Sequence, residues 1–327
     1  MKELENLLSC RESIKVVDAT LRDGGLVNDF YFDEDFVKAL YKTNVAAGID
    51  YMEVGYRADK TMFDVDKFGI WKFCDEDSIR GVIGNNEDSG LKLALMADVG
   101  RCDYKKDILK KEDSVIDLVR VATYIHTMPQ AIAMIEDAHN KGYETTCNIM
   151  ALSTAQENDV KVALDMLGKS PVDCIYIVDS YGSIYPEQMT RICDLYLSAG
   201  AKYGKKIGIH AHNNQQLAFA NTVEACGCGV DYLDATYSGM GRGAGNCYME
   251  SLIAFLHNPK YNLYPILKFI ENYMNPLKAS GKAVWGYDTQ YMLTGMLNQH
   301  PKSAIDYTRK ERKDLAEFYK EISTQDY

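Results

Sequence analysis

The stretch "KVVDATLRDGG", Lys15 to Gly25, decides between two architectures for this chain. Its first half has the composition of a buried strand, and it ends on Arg22 and Asp23, followed by two glycines that predict a flexible turn. A doubly wound open sheet would be expected to carry a phosphate-binding GxGxxG motif after its first strand. Because "RDGGLVND" stands in that place, the sequence favours a barrel.

Seven further β-rich runs follow, separated by segments with helical periodicity. The predicted strands are 14–21, 51–56, 91–99, 117–125, 144–152, 174–180, 206–212 and 232–238. Eight strand-then-helix units within about 250 residues predict an α/β fold of the TIM (β/α)8 barrel type. We place the barrel at residues 12–258 and expect residues 259–327 to form a C-terminal helical extension, which would either cross the barrel mouth or carry an interface.

The composition narrows the functional class. The chain has 327 residues and a formal net charge of -11, which argues against a nucleic-acid partner because phosphate binding needs clustered Lys and Arg. Its charged amino-terminal residues and the lack of a long apolar run argue against a signal peptide and a membrane span. Nine cysteines without a CxxC pair suggest reduced thiols, and we expect a cytoplasmic protein.

In a TIM barrel, reactive groups lie at the C-terminal ends of the strands and in the loops that follow them. The motif "HAHNN", His210 to Asn214, ends the seventh predicted strand, where side chains two positions apart share one face. Two imidazoles on one face can hold a divalent metal, and Asp23 after the first strand would be the third ligand. The alternatives are a hydrogen-bonded pair of histidines and a turn aspartate that caps the next segment.

Arg22 cannot act as a base because a guanidinium keeps its proton. It would either stabilise negative charge that develops on a metal-bound carbonyl or form a salt bridge with Asp18 or Glu53. The glycine-rich loop "SGMGRGAGN", residues 238–246, would let the backbone approach a ligand closely or form a simple tight turn. It contains no P-loop motif, which argues against nucleotide binding.

Three motifs, "DATLRDGG", "HAHNN" and "GMGRGAGN", occur in an order that resembles the signature of the DRE-TIM metallolyases, the HMGL-like superfamily. This resemblance implies a TIM barrel that makes or breaks a carbon-carbon bond of a 2-oxo acid through a metal-stabilised enolate. It implies that Asp23, His210, His212 and Asn246 bind a divalent metal, most readily Mn or Mg, with Zn or Co as alternatives. Arg22 would stabilise the enolate, while Ser180 and Glu53 would contribute to substrate binding.

Within that superfamily the glycine-rich loop most resembles the pattern of 4-hydroxy-2-oxovalerate aldolases. The segment "WGYDTQYMLTG" then places Tyr291 at the position of an active-site tyrosine. Those aldolases keep a histidine base where this chain has Leu26, so that Tyr291, His300, a metal-bound water or a different substrate would have to account for the proton.

Two other functions stay open from the sequence. One is a Claisen-type condensation of an acyl-CoA, as in isopropylmalate and citramalate synthases, and the other is a catalytically idle barrel that serves as a scaffold. The resemblance also leads us to expect a 2-oxo acid and an aldehyde as small-molecule partners, a homo-oligomer, and possible pairing with a second enzyme.

Overall fold

Eight parallel strands close into a single barrel in chain order in the computed structural model, which describes residues 8–87 and 89–323. The strands are β1 (Lys15–Asp18), β2 (Tyr51–Tyr56), β3 (Lys92–Asp98), β4 (Leu118–Thr123), β5 (Glu144–Ile149), β6 (Cys174–Asp179), β7 (Lys206–Ala211) and β8 (Tyr232–Ala235). Each lies within a β-rich run predicted from the sequence. The TIM barrel is therefore confirmed.

Helices surround this barrel and continue beyond its last strand. They are α1 (Thr20–Gly24), α2 (Glu34–Ala47), α3 (Glu76–Ile83), α4 (Tyr104–Asp107), α5 (Met128–Asn140), α6 (Glu157–Lys169), α7 (Pro186–Tyr203), α8 (Ala218–Cys228), α9 (Met249–Phe255), α10 (Leu263–Phe269), α11 (Asn275–Ala279), α12 (Thr289–Met296), α13 (Lys302–Arg309) and α14 (Leu315–Ser323). Helix α7 begins at a proline and ends before Gly204, which has φ of 67°, and these are the residue types that helix ends prefer. Within the described residues, no helix is long and apolar enough to span a bilayer.

The end of the first strand differs from the flexible turn expected there. Thr20–Gly24 form one turn of α-helix, and Gly25 keeps a helical φ of -58°. Both glycines are needed for close packing instead. A Cβ on Gly24 would lie 2.9 Å from the sulfur of Met240, and one on Gly25 would overlap the ring of Phe30. This helical turn fixes the direction of the charged side chains that precede the glycines.

The barrel interior changes from apolar to charged along its axis. Towards the N-terminal ends of the strands, Val17, Tyr51, Ala94 and Leu118 form an apolar layer. Further along the strands, the inward positions carry charged side chains instead. The apolar faces of the outer helices pack on the outside of the strands and form the main hydrophobic core. The charged groups are therefore enclosed by a packed scaffold, as is usual at the C-terminal face of this fold.

The C-terminal helices form two structural parts. Helix α10 packs beside α2, with Phe269 against Phe36 at a ring-centroid distance of 5.2 Å, and α11 follows it in the chain. Helices α12, α13 and α14 form a separate apolar cluster that includes Ala244 of the glycine-rich loop. This second part lies at the barrel mouth, one of the two positions considered from the sequence. The domain boundary at residue 258 stays a prediction.

Candidate metal and substrate site

Three predicted metal ligands meet at the barrel mouth. Asp23 lies on α1, His210 lies on β7, and His212 directly follows that strand. One ligand atom from each lies within 4.8 Å of the others, and all three side chains are buried. The two imidazole rings are nearly perpendicular, with centroids 5.0 Å apart. The strand alternation that predicted a shared face for the two histidines therefore brings them to one point with the carboxylate of Asp23.

The Nδ1 atom of each histidine lies within hydrogen-bond distance of an oxygen acceptor. His210 Nδ1 lies 3.0 Å from a carboxylate oxygen of Asp234, and His212 Nδ1 lies 3.0 Å from the backbone carbonyl of Asp179. An oxygen acceptor at Nδ1 leaves the lone pair on Nε2, the tautomer that binds metals. Burial and the neighbouring Arg22 lower the pKa of His210, which keeps its imidazole neutral.

Asn246, the fourth predicted ligand, lies beside Asp23. Its Nδ2 donates to Asp23 and to the carbonyl of Met240, the latter at 3.1 Å. Its backbone forms an isolated bridge with His212, so the glycine-rich loop is fixed to the end of β7. Gly241 lies so close to this site that a Cβ there would overlap both Asp23 and Asn246. The loop is therefore a close backbone approach to the centre, and not only a tight turn.

The chemistry of these donors fits a divalent cation. Among the described residues, His212 Nε2 and Asn246 Oδ1 are buried and have no hydrogen-bond partner. Burying polar atoms without a partner is costly, and both atoms belong to the side chains predicted to bind the metal. Two imidazole nitrogens, one carboxylate and one amide oxygen form a mixed donor set that suits Mn, Mg, Zn or Co.

Arg22 forms both the salt bridge and the site contact that the sequence left as alternatives. Its Nε donates to Glu53 at 2.8 Å, and one terminal nitrogen donates to Asp23 at 2.8 Å. The other terminal nitrogen lies 3.4 Å from His210 Nε2. Burial alone would raise the pKa of Asp23, but Arg22 and the histidines lower it well below its usual range. Asp23 is therefore ionised and available as a ligand.

Two charged residues of this network were missed in the sequence analysis. Arg120 on β4 donates to Glu53 at 2.9 Å and to Asp234 on β8 at 2.6 Å, and both Arg120 and Asp234 are buried. A continuous chain of ionic contacts thus runs from Asp23 through Arg22, Glu53 and Arg120 to Asp234, which holds His210. The signal in the sequence that could have identified them is a single charged residue at an inward position of each of two otherwise apolar strands.

Ser180 and Tyr291 lie at the mouth but make other contacts. The Ser180 hydroxyl accepts a hydrogen bond of 2.8 Å from the backbone nitrogen of Ala151. Tyr291 belongs to the apolar cluster of the C-terminal helices and lies close to Gly243, and its carbonyl accepts a hydrogen bond from Asn214. Leu26 is half-buried and packs against the main core. The roles given to Ser180 and Tyr291 stay predictions.

Comparison with known families agrees with this geometry. A family model described as HMGL-like matches residues 13–271. The chain belongs to the HMGL-like family. Members of this family depend on a divalent metal, in agreement with the possible metal-binding group of Asp23, His210 and His212. The chain is accordingly an enzyme of the carbon-carbon lyase class.

Curated HMGL-like relatives carry two activities in their names. The chain is 32% identical over 250 residues to an oxaloacetate decarboxylase from Mycobacterium tuberculosis, with 75% of this chain and 70% of the relative covered. It is 27% identical over 274 residues to a 4-hydroxy-2-oxovalerate aldolase from Thermus thermophilus, with 83% and 77% covered. The two names correspond to the two reactions considered below.

Solved structures give the same fold. The N-terminal domain of a candidate aldolase from Bacteroides vulgatus superposes with a TM-score of 0.74 at 27% identity, and covers 90% of this chain and 96% of that domain. The carboxyl transferase domain of Rhizobium etli pyruvate carboxylase gives a TM-score of 0.70 at 16% identity, with 92% of this chain and 54% of the other covered. This second similarity concerns the fold alone.

Proposed function

We propose that this enzyme cleaves or forms the C3–C4 bond of a 2-oxo acid, in the manner of a 4-hydroxy-2-oxovalerate aldolase. The observation that carries the proposal is the buried group of Asp23, His210 and His212 with a guanidinium beside it. A divalent cation bound there would act as a Lewis acid towards the oxygens of the 2-oxo acid. We favour Mn or Mg, with Zn or Co as alternatives.

Arg22 would stabilise negative charge on the substrate oxygen as the enolate forms. Its ionic contacts with Glu53 and Asp23 fix the guanidinium before substrate binds, so that little reorganisation is needed during the reaction. Burial would lower the pKa of Arg22, but the carboxylates of Glu53 and Asp23 raise it well above its usual value. Arg22 is therefore a permanent cation and not the base.

Glu53 is better explained as a positioning residue than as a group that touches the substrate. One of its oxygens accepts hydrogen bonds from both Arg22 and Arg120. A carboxylate held between two guanidiniums orients them, and it would repel an anionic substrate. Ser180 keeps the role predicted for it, because a hydroxyl that accepts from Ala151 still has its own hydrogen to donate to a carboxylate.

A second reaction, decarboxylation of oxaloacetate, is favoured by one observation. Aldol cleavage needs a base for the 4-hydroxyl proton, whereas loss of carbon dioxide from oxaloacetate does not. Leu26 is an apolar side chain at the position where the aldolases keep a histidine base, and it packs against the core. The 32% identical relative is named for this decarboxylation. For the aldol reaction, Tyr291 is the residue that we propose as the replacement for the base.

Three further expectations accompany the proposal. All nine cysteines are unpaired, which fits a reducing compartment such as the cytosol. We expect a homo-oligomer, in keeping with the exposed surface of the C-terminal helices. Transfer of the aldehyde product to a partner enzyme also remains an expectation. None of the three affects the assignment of the chemistry.

The two reactions are separated by following pyruvate release from 4-hydroxy-2-oxovalerate and from oxaloacetate, each with Mn or Mg, through coupled reduction of pyruvate. We expect metal-dependent pyruvate release from at least one of them. Asp23→Asn, assayed with the same metal concentration, corrects for decarboxylation by free metal ions. Cleavage of acetyl-CoA without pyruvate release would instead support the Claisen reaction, and no turnover with any substrate would support an idle scaffold.

A further inference from the structure

Arg242 is a further arginine at the barrel mouth, and among the described residues it has no carboxylate partner. Arg242, in the glycine-rich loop, donates at 3.0 Å to the backbone carbonyl of Ser180, and its other terminal nitrogen lies 3.2 Å from His300 Nε2. Its Nε is buried and has no hydrogen-bond partner among the residues that the structure describes. By contrast, Arg22 and Arg120 each contact two carboxylates. The charge of Arg242 is therefore left uncompensated.

His300 lies between two N–H donors. The backbone nitrogen of Lys302 lies 3.1 Å from its Nδ1, and a terminal nitrogen of Arg242 lies 3.2 Å from its Nε2. Partial burial of the ring, with Arg242 and His212 nearby, lowers the pKa of His300 to about 4, so the ring is neutral. A neutral imidazole accepts at only one of its two nitrogens, so it cannot satisfy both donors.

This pair adjoins the metal site. Arg242 follows Gly241, whose Cα lies against Asp23 and Asn246. Ser180, whose carbonyl holds Arg242, follows Asp179, whose carbonyl holds His212. Arg242 is half-buried and His300 is exposed, so both can be reached from the mouth. A substrate bound at the ligand atoms by one end could therefore reach this pair with the other.

We propose that Arg242 and His300 bind a second carboxylate of the substrate, so that the preferred substrates are 2-oxo dicarboxylates. The inference rests on the proposed function, since the 2-oxo end must lie at the metal site. A carboxylate oxygen supplies the acceptor that His300 cannot give to both donors, and its charge compensates the guanidinium.

Binding of the second carboxylate by Arg242 and His300 favours one of the two candidate reactions. Neutralising a carboxylate stabilises it in the ground state, which opposes its loss as carbon dioxide. The subsite therefore fits aldol cleavage of a 4-hydroxy-2-oxo dicarboxylate, in which the second carboxylate survives. In that reaction the C3–C4 bond breaks, the 4-hydroxyl loses its proton and C3 gains one. The products are pyruvate and an aldehyde that carries a carboxylate.

The test is calorimetric binding to the full-length protein loaded with Mn, using unreactive probes. The pair 2-oxoglutarate and 2-oxovalerate has the same chain length and differs only in the terminal carboxylate. Oxalate, which has no distal group, reports on the metal site alone. We expect 2-oxoglutarate to bind at least about tenfold more tightly than 2-oxovalerate, which corresponds to about 1.4 kcal/mol.

Two variants test whether Arg242 and His300 cause the preference for 2-oxoglutarate. In Arg242→Gln the ratio of the two dissociation constants should fall to near one, and in His300→Gln it should fall partway. Arg309→Gln, at an exposed arginine that ends α13, removes the same charge away from the loop and should keep the ratio.

A ratio of one in the wild-type protein that still binds oxalate would overturn the subsite and leave the proposed function standing. A ratio that persists in both variants would overturn it as well, and the His300 variant decides this if the Arg242 variant does not fold. Loss of oxalate binding in the wild-type protein would overturn the proposed function and the subsite together.

Discussion

Arg22 is the residue on which the chemistry of this site depends most. It contacts Glu53 and Asp23 at once, and its third nitrogen lies near His210. Asp23, Glu53 and Asp234 carry three negative charges against two positive charges on Arg22 and Arg120, so the network has a net charge of -1 with His210 neutral. A divalent cation changes this to +1, which suits an anionic 2-oxo acid.

Replacing Arg22 by Lys should retain the metal and lose most of the turnover. A single ammonium cannot contact Glu53 and Asp23 in the geometry of the planar guanidinium. Loss of one positioned donor to a developing oxyanion lowers kcat by about 10²- to 10³-fold. Steady-state kinetics with metal analysis of the same sample measures both effects. Wild-type turnover in the variant would remove Arg22 from the mechanism.

Because of Asp18, at the end of β1, the free energy of unfolding should fall as the pH rises. Burial raises the pKa of Asp18 from 3.8 to about 6, despite hydrogen bonds from Thr20 and Asn44. Between pH 4 and 6 the folded protein therefore holds a proton that the unfolded chain has lost, and the free energy of unfolding falls by on the order of 3 kcal/mol. Denaturant titrations across this range should show a flatter pH dependence for Asp18→Asn. Equal slopes in both proteins would contradict the assignment.

At the scale of elements, the site is formed where the β8 loop is held against the end of β7. The bridge between His212 and Asn246 and the hydrogen bond from Asn213 to Gly245 tie the two together. Helix α1 supplies Asp23 from the neighbouring side. The ligand atoms are therefore positioned by three different elements, and small residues are required where these elements meet.

Gly241→Ala should weaken metal binding without unfolding the barrel. The added methyl group would overlap Asp23 and Asn246, and one of them would have to move. Gly227→Ala is the matched control, because a Cβ at this position of α8 meets nothing within 4 Å. In a helix that control should be neutral or stabilising by up to about 1 kcal/mol. Equal metal affinity in both variants, measured by calorimetry, would show that the loop does not need this close approach.

Some of this arrangement was predictable from the sequence, and some was not. The alternation of side chains along a strand predicted that His210 and His212 share one face. The order of strands around a barrel predicted that Asp23, after the first strand, lies near them. The contacts of Arg120 were not predictable, because β4 and β8 lie on opposite sides of the barrel and meet only across its interior. The packing of Gly24 against Met240 was hidden for the same reason, since it depends on α1 and the loop after β8, which meet only in the folded chain.

At the scale of the whole molecule, the barrel encloses the charge network and the C-terminal helices pack at its mouth. Trp285 donates to the carbonyl of Ser238, and Asn298 donates to that of Ser153. These contacts connect the C-terminal segment to loops that follow two different strands. The stability of the molecule and the occupancy of its site should therefore be linked.

Mn should raise the midpoint of thermal unfolding of the wild-type protein. A ligand that binds only the folded state stabilises it by about 2.7 kcal/mol at a concentration a hundredfold above its Kd. Asp23→Asn should lose this response, because the amide does not supply the negative charge of the carboxylate. His257→Ala, at an exposed histidine, should respond as the wild type does. The same response in Asp23→Asn would show that the metal binds elsewhere.

The central claim is that this site forms an enolate of a 2-oxo acid with the help of a divalent metal. Exchange of the C3 protons of pyruvate with solvent deuterium, followed by proton NMR, tests it without knowledge of the second substrate. We predict exchange by the Mn- or Mg-loaded wild-type protein, none after removal of the metal, and none in His210→Ala. Exchange that continues without metal, or that is unchanged in His210→Ala, would contradict the claim.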